Sequence, residues 1–159
     1  MRREQRPVTD KKRATEYCLR ILMMRDYSSA MIKEKLKLRG CGGEIADEVI
    51  SGLRESGYID DREYASNLIK SLISRKKGRK YIEYELGKRG IERELAEELL
   101  DENYTSSAFE ALESELQKTG KPLSALERKD RGKIINKLMR MGYSYDEISD
   151  CFGRMKDIV

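Results

Sequence analysis

The chain has 159 residues, 38% hydrophobic and 39% charged, with 33 basic and 29 acidic side chains and a net charge of +4. It contains no histidine, no GxxxxGKS/T and no GxGxxG stretch, which removes the usual general base, the usual zinc ligand, every Ser–His or Cys–His nucleophile pair and the glycine-rich phosphate loops. No apolar run approaches the roughly 20 residues that cross a bilayer, and no apolar segment follows the basic start MRREQRPVTDKKR, so neither a membrane span nor a secretory signal is expected.

Glu, Lys, Arg, Leu and Ala dominate, strand-like alternation is absent, and glycines fall at helix ends, so the chain reads as helical nearly throughout. The first helical stretch spans roughly 10–26, with Tyr17, Ile21 and Leu22 on its apolar face. SAMIKEKLKLRGCGGEIADEVI (29–50) follows. It places Ile32 four residues before Leu36, Gly40 four residues further on, Cys41 next, and then Ile45 and Val49 on a second helix. The i, i+4 spacing puts each pair on one face, and the glycine suits a helix end that needs positive φ. After GYIDD (57–61), Asp60 or Asp61 is a good N-cap for a helix over 61–76 carrying Tyr64, Leu68, Ile69 and Leu72.

KYIEYELGKRGIERELAEELL (80–100) then repeats the earlier pattern with Ile82, Leu86, Gly90, Ile91, Leu95 and Leu99. A helical stretch over 105–118 carries Phe109, Leu112 and Leu116, and Gly120 with Pro122 marks a loop. GKIINKLMRMGYSYDEISDCF (132–152) gives the third copy: Ile134, Leu138, Gly142, Tyr143, Ile148 and Phe152, with one extra residue between glycine and helix. Ser144 and Glu147 form a capping-box pattern at its last helix. The period of about 50 residues predicts an all-α fold of three tandem three-helix repeats over 14–57, 58–104 and 105–159, after a basic tail over 1–13. Cys18, Cys41 and Cys151 are scattered without CxxC spacing, which points to reduced thiols serving as small core residues in a cytoplasmic protein.

Charge follows the repeat. Residues 1–40 hold 12 basic and 5 acidic side chains (net +7), 41–74 hold 3 and 7 (−4), 75–93 hold 8 and 3 (+5), 94–120 hold 1 and 8 (−7), and 121–159 hold 9 and 6 (+3). The second helix of each unit is basic and the third acidic. Stacked units would align a basic stripe of Lys33, Lys37 and Arg39; Arg79, Lys80, Lys88 and Arg89; and Lys133, Lys137 and Arg140. Such a stripe matches an extended polyanion. Basic and acidic helices pairing between units would quench it. RKKGRKYIEYELGKRG (75–90) adds Arg75, Lys76 and Lys77 to the candidate nucleic-acid contacts. Tyr81 and Tyr84 are candidates for base stacking or partner contact, against half-buried packing, and Gly78 is a candidate for close approach to a phosphate. Asp60 and Asp61 compete between a partner contact or metal site and a plain helix cap.

GYIDD leading into REYA (62–65), then KKGRKYIEYELGKRGI (76–91), resembles the RecX family, regulators of the RecA recombinase. LMRMGYSYDEI (138–148) is similar to the family's closing segment but departs from it at Met141 and Tyr143, and Met141 removes one expected positive charge. The resemblance implies a non-enzymatic, monomeric protein with no catalytic residue, metal or cofactor. Its implied partners are the RecA filament and single- and double-stranded DNA, and its implied shape is an elongated, curved array that lodges in the filament groove or blocks its growing end. The main alternative is a helix-turn-helix transcription factor. Against it stand the threefold repetition and the acidic character of the helices after the glycines.

Overall fold

The structure is a computed structural model describing residues 8–158. Among these residues there are nine α-helices, one 3-10 turn and no strand. The helices are α1 (Lys11–Leu22), α2 (Ser29–Leu38), α3 (Gly43–Glu55), α4 (Asp61–Ser74), α5 (Arg79–Lys88), α6 (Arg93–Asn103), α7 (Ala108–Thr119), α8 (Arg128–Arg140) and α9 (Tyr145–Ile158), with the 3-10 turn at Leu123–Ala125 between α7 and α8. They pack in threes: α1 and α2 on α3, α4 and α5 on α6, and α7 on both α8 and α9. Each trio encloses its own apolar core, centred on Ile32 and Leu36, Ile82 and Leu86, and Ile134 and Leu138. Burying one such side chain stabilises by about 1.5–3 kcal/mol, so each small core carries its unit only with help from its neighbours.

Local chemistry sets the helix ends. Asp10 accepts from the Arg13 amide and Asp60 from the Glu63 amide, the same N-cap 50 residues apart. Ser144 Oγ accepts from the Glu147 amide while the Glu147 carboxylate accepts from the Ser144 amide, completing the expected capping box. Gly40, Gly90 and Gly142 close α2, α5 and α8 at φ of 75°, 70° and 98°, in the left-handed region where a side chain is strained. α1 ends at Leu22, short of the expected span, because Tyr27 and Ser28 are buried and Ser28 Oγ accepts from the Met31 amide to start α2. Of the expected basic tail, residues 1–7 lie outside the described residues, whereas Val8 is buried and α1 begins at Lys11.

The third unit has no inserted residue. The third helix starts two residues after Cys41, Ile91 and Tyr143 alike. Its buried positions are Ala46, Val49, Ile50 and Leu53 in α3, Ala96, Leu99 and Leu100 in α6, and Ile148, Cys151, Phe152 and Met155 in α9. Ile148 therefore corresponds to Ala46 and Ala96, not to Ile45 and Leu95. The apparent extra residue comes from matching isoleucine to the nearest large apolar residue when the true equivalents are alanines. Cys18, Cys41 and Cys151 are free and buried, and burial with Cys41 nearby pushes the Cys18 thiol up to about 11.

Candidate nucleic-acid interface

The three second helices meet end to end. Between the second and third units, the Gly78 amide donates to the Met141 carbonyl (2.8 Å) and the Lys80 amide to the Gly142 carbonyl (3.2 Å), so the N-terminus of α5 sits on the C-terminal turn of α8. Between the first and second, Ser28 Oγ donates to the Arg89 carbonyl (2.5 Å), and the N-terminus of α2 sits on the turn that closes α5. Ser28 and Gly78 are N-caps 50 residues apart, and Arg89 and Met141 are equivalent C-caps, so one joint is used twice. The third equivalent carbonyl, that of Arg39, accepts from the Val8 amide (2.9 Å) and closes the free end of the row. The helices run α8, α5, α2 with each C-terminus facing the next N-terminus, an arrangement their macrodipoles favour.

Gly78 is needed for this joint, not for a phosphate. A Cβ there would overlap the Gly142 carbonyl group and the Tyr143 amide nitrogen, and a Cβ on Gly142 would lie 2.6 Å from Tyr81 Cβ. At the other joint a Cβ on Gly90 would overlap Ala30 Cβ.

The expected basic residues of α2, α5 and α8 are carried by helices that meet end to end in this row, but several of them are spent internally. Lys33 pairs with Asp47 (2.6 Å), Arg79 with Asp101 (2.7 Å) and Glu83 (3.0 Å), Arg89 with Glu85, Lys133 with Asp130 (3.1 Å), and Lys137 with Glu115 (2.6 Å). Lys88 lies 3.7 Å from Glu85, whose carboxyl the hydrogen bond from Arg89 holds below its usual range. Arg39 stacks over Tyr17 (4.7 Å) and Lys77 over Tyr81 (4.5 Å). These ion pairs lie within units, not between them. Lys37, Lys80 and Arg140 are exposed and form no ion pair among the described residues. Exposed Arg75 and half-buried Lys76 and Lys77 occupy the loop beside the α8 turn, with Lys76 in the left-handed region at φ 56°. Tyr84 is 66% exposed one turn from both Lys80 and Lys88, whereas Tyr81 is half-buried against the second core.

Asp60 and Asp61 have separate duties. Asp60 is the α4 cap. Asp61 accepts from the Ser29 amide (2.7 Å), from the Ser29 hydroxyl and from Arg54 (2.9 Å), tying the first unit to the second. Burial opposes its ionisation, but these donors outweigh burial and lower its pKa. A carboxylate with a lowered folded pKa stabilises fully above the unfolded value of about 3.9, and that contribution fades as pH falls through the folded value. Asp61→Asn is expected to cost about 1–3 kcal/mol at pH 7 in urea unfolding, with the gap to the parent closing towards pH 3. A gap that stays constant with pH would exclude the charge as its cause. Ser28, Ser29, Arg54 and Glu115, which hold the joints or balance Lys137, carry no sequence signal beyond Ser28 standing 50 residues before Gly78. No cluster of potential metal ligands occurs among the described residues, and no helix there is long and apolar enough to cross a membrane.

Comparison with known proteins places this arrangement. Residues 14–53 match the model of the RecX first three-helix domain and residues 60–100 that of the second, together just over half the chain. Regulatory protein RecX of Caldanaerobacter subterraneus is 32% identical over 93 residues, 58% of this chain but only 47% of that protein, so the match spans about half the relative's length. Regulatory protein RecX of Escherichia coli O1:K1 is 28% identical over 155 residues, covering 91% of this chain and 93% of the relative. The crystal structure of RecX from Lactobacillus salivarius superposes with a TM-score of 0.82 over 94% of this chain and 98% of that one, at 23% identity, which is a likeness of fold. With two RecX three-helix domains matched in tandem over just over half its length, this chain belongs to the RecX family of regulatory proteins.

Proposed function

We propose that this protein regulates the RecA recombinase by binding RecA–DNA filaments, in the groove or at the growing end, and that it meets DNA through the row α8–α5–α2. The observation that carries the DNA part is the twice-used joint. It joins three basic helices end to end, with an exposed cation on each that forms no ion pair among the described residues: Lys37, Lys80 and Arg140. An extended polyanion gains from such a track because each neutralised phosphate releases counterions. The transcription-factor reading finds less support. A recognition helix entering a groove would be the third helix of a unit, and α6 carries Glu94, Glu97, Glu98, Asp101 and Glu102.

The deciding experiment is ATP hydrolysis by RecA on single-stranded DNA with this protein well below equimolar. A clear fall in rate is expected, since one bound copy would act on many filament subunits. An unchanged rate even at excess, together with sequence-specific duplex binding, would replace this reading with the transcription-factor one.

A further inference from the structure

Arg131 and Arg79 stand at the same repeat position, each three residues before the core isoleucine of its helix (Ile134 and Ile82) and 52 residues apart, as are Tyr143 and Ile91; Arg79 opens α5, whereas Arg131 is the fourth residue of the longer α8. Their surroundings differ in one respect. Arg79 is neutralised by Glu83, one turn along its helix, and by Asp101 on the third helix. The same offset places Ile135 and Gly153 at those two positions in the third unit. The arginine is kept and both of its carboxylates are gone.

Arg131 has no ion pair among the described residues, and its buried Nε has no hydrogen-bond partner there. Its guanidinium is not loose, because it stacks 4.9 Å over the Phe152 ring. It lines two clefts of about 440 and 280 Å³ and shares both with Lys156. Pro122, Leu123 and Leu126 line the larger, and Ile135, Gly153 and the exposed Tyr145 line the smaller. A half-buried guanidinium with an unmet N–H is costly unless an anion completes it.

We propose that this cleft docks a peptide segment of a partner protein that presents a carboxylate beside an aliphatic side chain. The carboxylate takes the place that Glu83 and Asp101 fill against Arg79, held by Arg131 and Lys156. The aliphatic side chain lies on Pro122, Leu123 and Leu126. A carboxylate is favoured over phosphate for two reasons: carboxylates satisfy the equivalent arginine in the same helical frame, and the apolar wall rewards an aliphatic neighbour that a hydrated phosphodiester lacks. The site shares α8 with the nucleic-acid track but uses none of Lys37, Lys80 and Arg140.

The test is an NMR titration of the full chain, following backbone amides, with the capped peptide acetyl-Leu-Asp-Leu-Glu-Leu-amide, with its Asn/Gln counterpart, and with inorganic phosphate. Saturable shifts at residues 124–126 and 149–156 are expected with the acidic peptide. Affinity should be about tenfold or more weaker for the neutral peptide and for Arg131→Gln. Ile135→Glu, which restores the acid of the second unit, should compete internally and weaken binding likewise. If it unfolds the third unit, Arg131→Gln decides alone. Equal binding of the neutral peptide, unchanged affinity in Arg131→Gln, no saturable shift, or shifts produced by phosphate and not by the peptide would each overturn the assignment.

Discussion

Gly78→Ala is expected to destabilise the protein by about 2–4 kcal/mol and to uncouple the third unit from the second. At an ordinary site with φ of −78°, alanine would fit and would stabilise slightly by narrowing the unfolded ensemble. Here the added methyl would occupy the place of the Gly142 carbonyl group and the Tyr143 amide nitrogen. Backbone cannot rotate aside as a side chain can, so α5 and α8 must separate. That weakens the bonds from the Gly78 amide to Met141 and from the Lys80 amide to Gly142. Gly132→Ala is the matched control: it lies inside α8 with nothing within 4 Å of its Cβ position and should gain about 0.5–1 kcal/mol. Urea unfolding of the two variants checks the difference. A Gly78→Ala protein as stable as Gly132→Ala would mean that the two helices do not approach so closely.

The repeat was legible because its markers are chemically distinctive. Ile32 and Leu36 recur as Ile82 and Leu86 and as Ile134 and Leu138, and the three closing glycines all have the positive φ their spacing requires. The register of the third helix was not legible, because the equivalent repeat position is occupied by alanine twice and isoleucine once. Burial, not size, defines it. Which helices carry the basic residues was legible by residue type, but which of those residues are engaged in ion pairs was not. Arg79 and Lys80 are neighbours in sequence, yet a helix turns about 100° per residue, so one faces Asp101 and the other faces solvent. The Asp60 cap was legible because caps are local, whereas Asp61 does different work. Its bonds to Ser29, 32 residues away, depend on how two units dock, and no short-range pattern encodes that.

Lys37→Glu, Lys80→Glu and Arg140→Glu combined should lower affinity for a long single-stranded oligonucleotide on the order of a hundredfold or more at low salt. The combination should also flatten the slope of log K against log salt by about 2–3. The three residues come from three different units and from α2, α5 and α8 respectively, so they test the row rather than any one helix. Each reversal alone should remove about one counterion's worth of slope. If the joints make one track, a single strand spans all three positions and the slope changes add. If only one unit touches DNA, the triple variant will match the strongest single variant. Ligand length separates the two cases further, because an oligonucleotide too short to span all three units should lose the additivity while keeping part of the affinity. Arg79→Glu is the informative companion. It would set a third acid beside Glu83 and Asp101 and so weaken α5–α6 packing as well as DNA binding, whereas Lys80→Glu should leave the urea midpoint nearly unchanged. A loss of DNA affinity at Lys80 without loss of stability would assign the effect to the exposed face of the row and not to the fold beneath it.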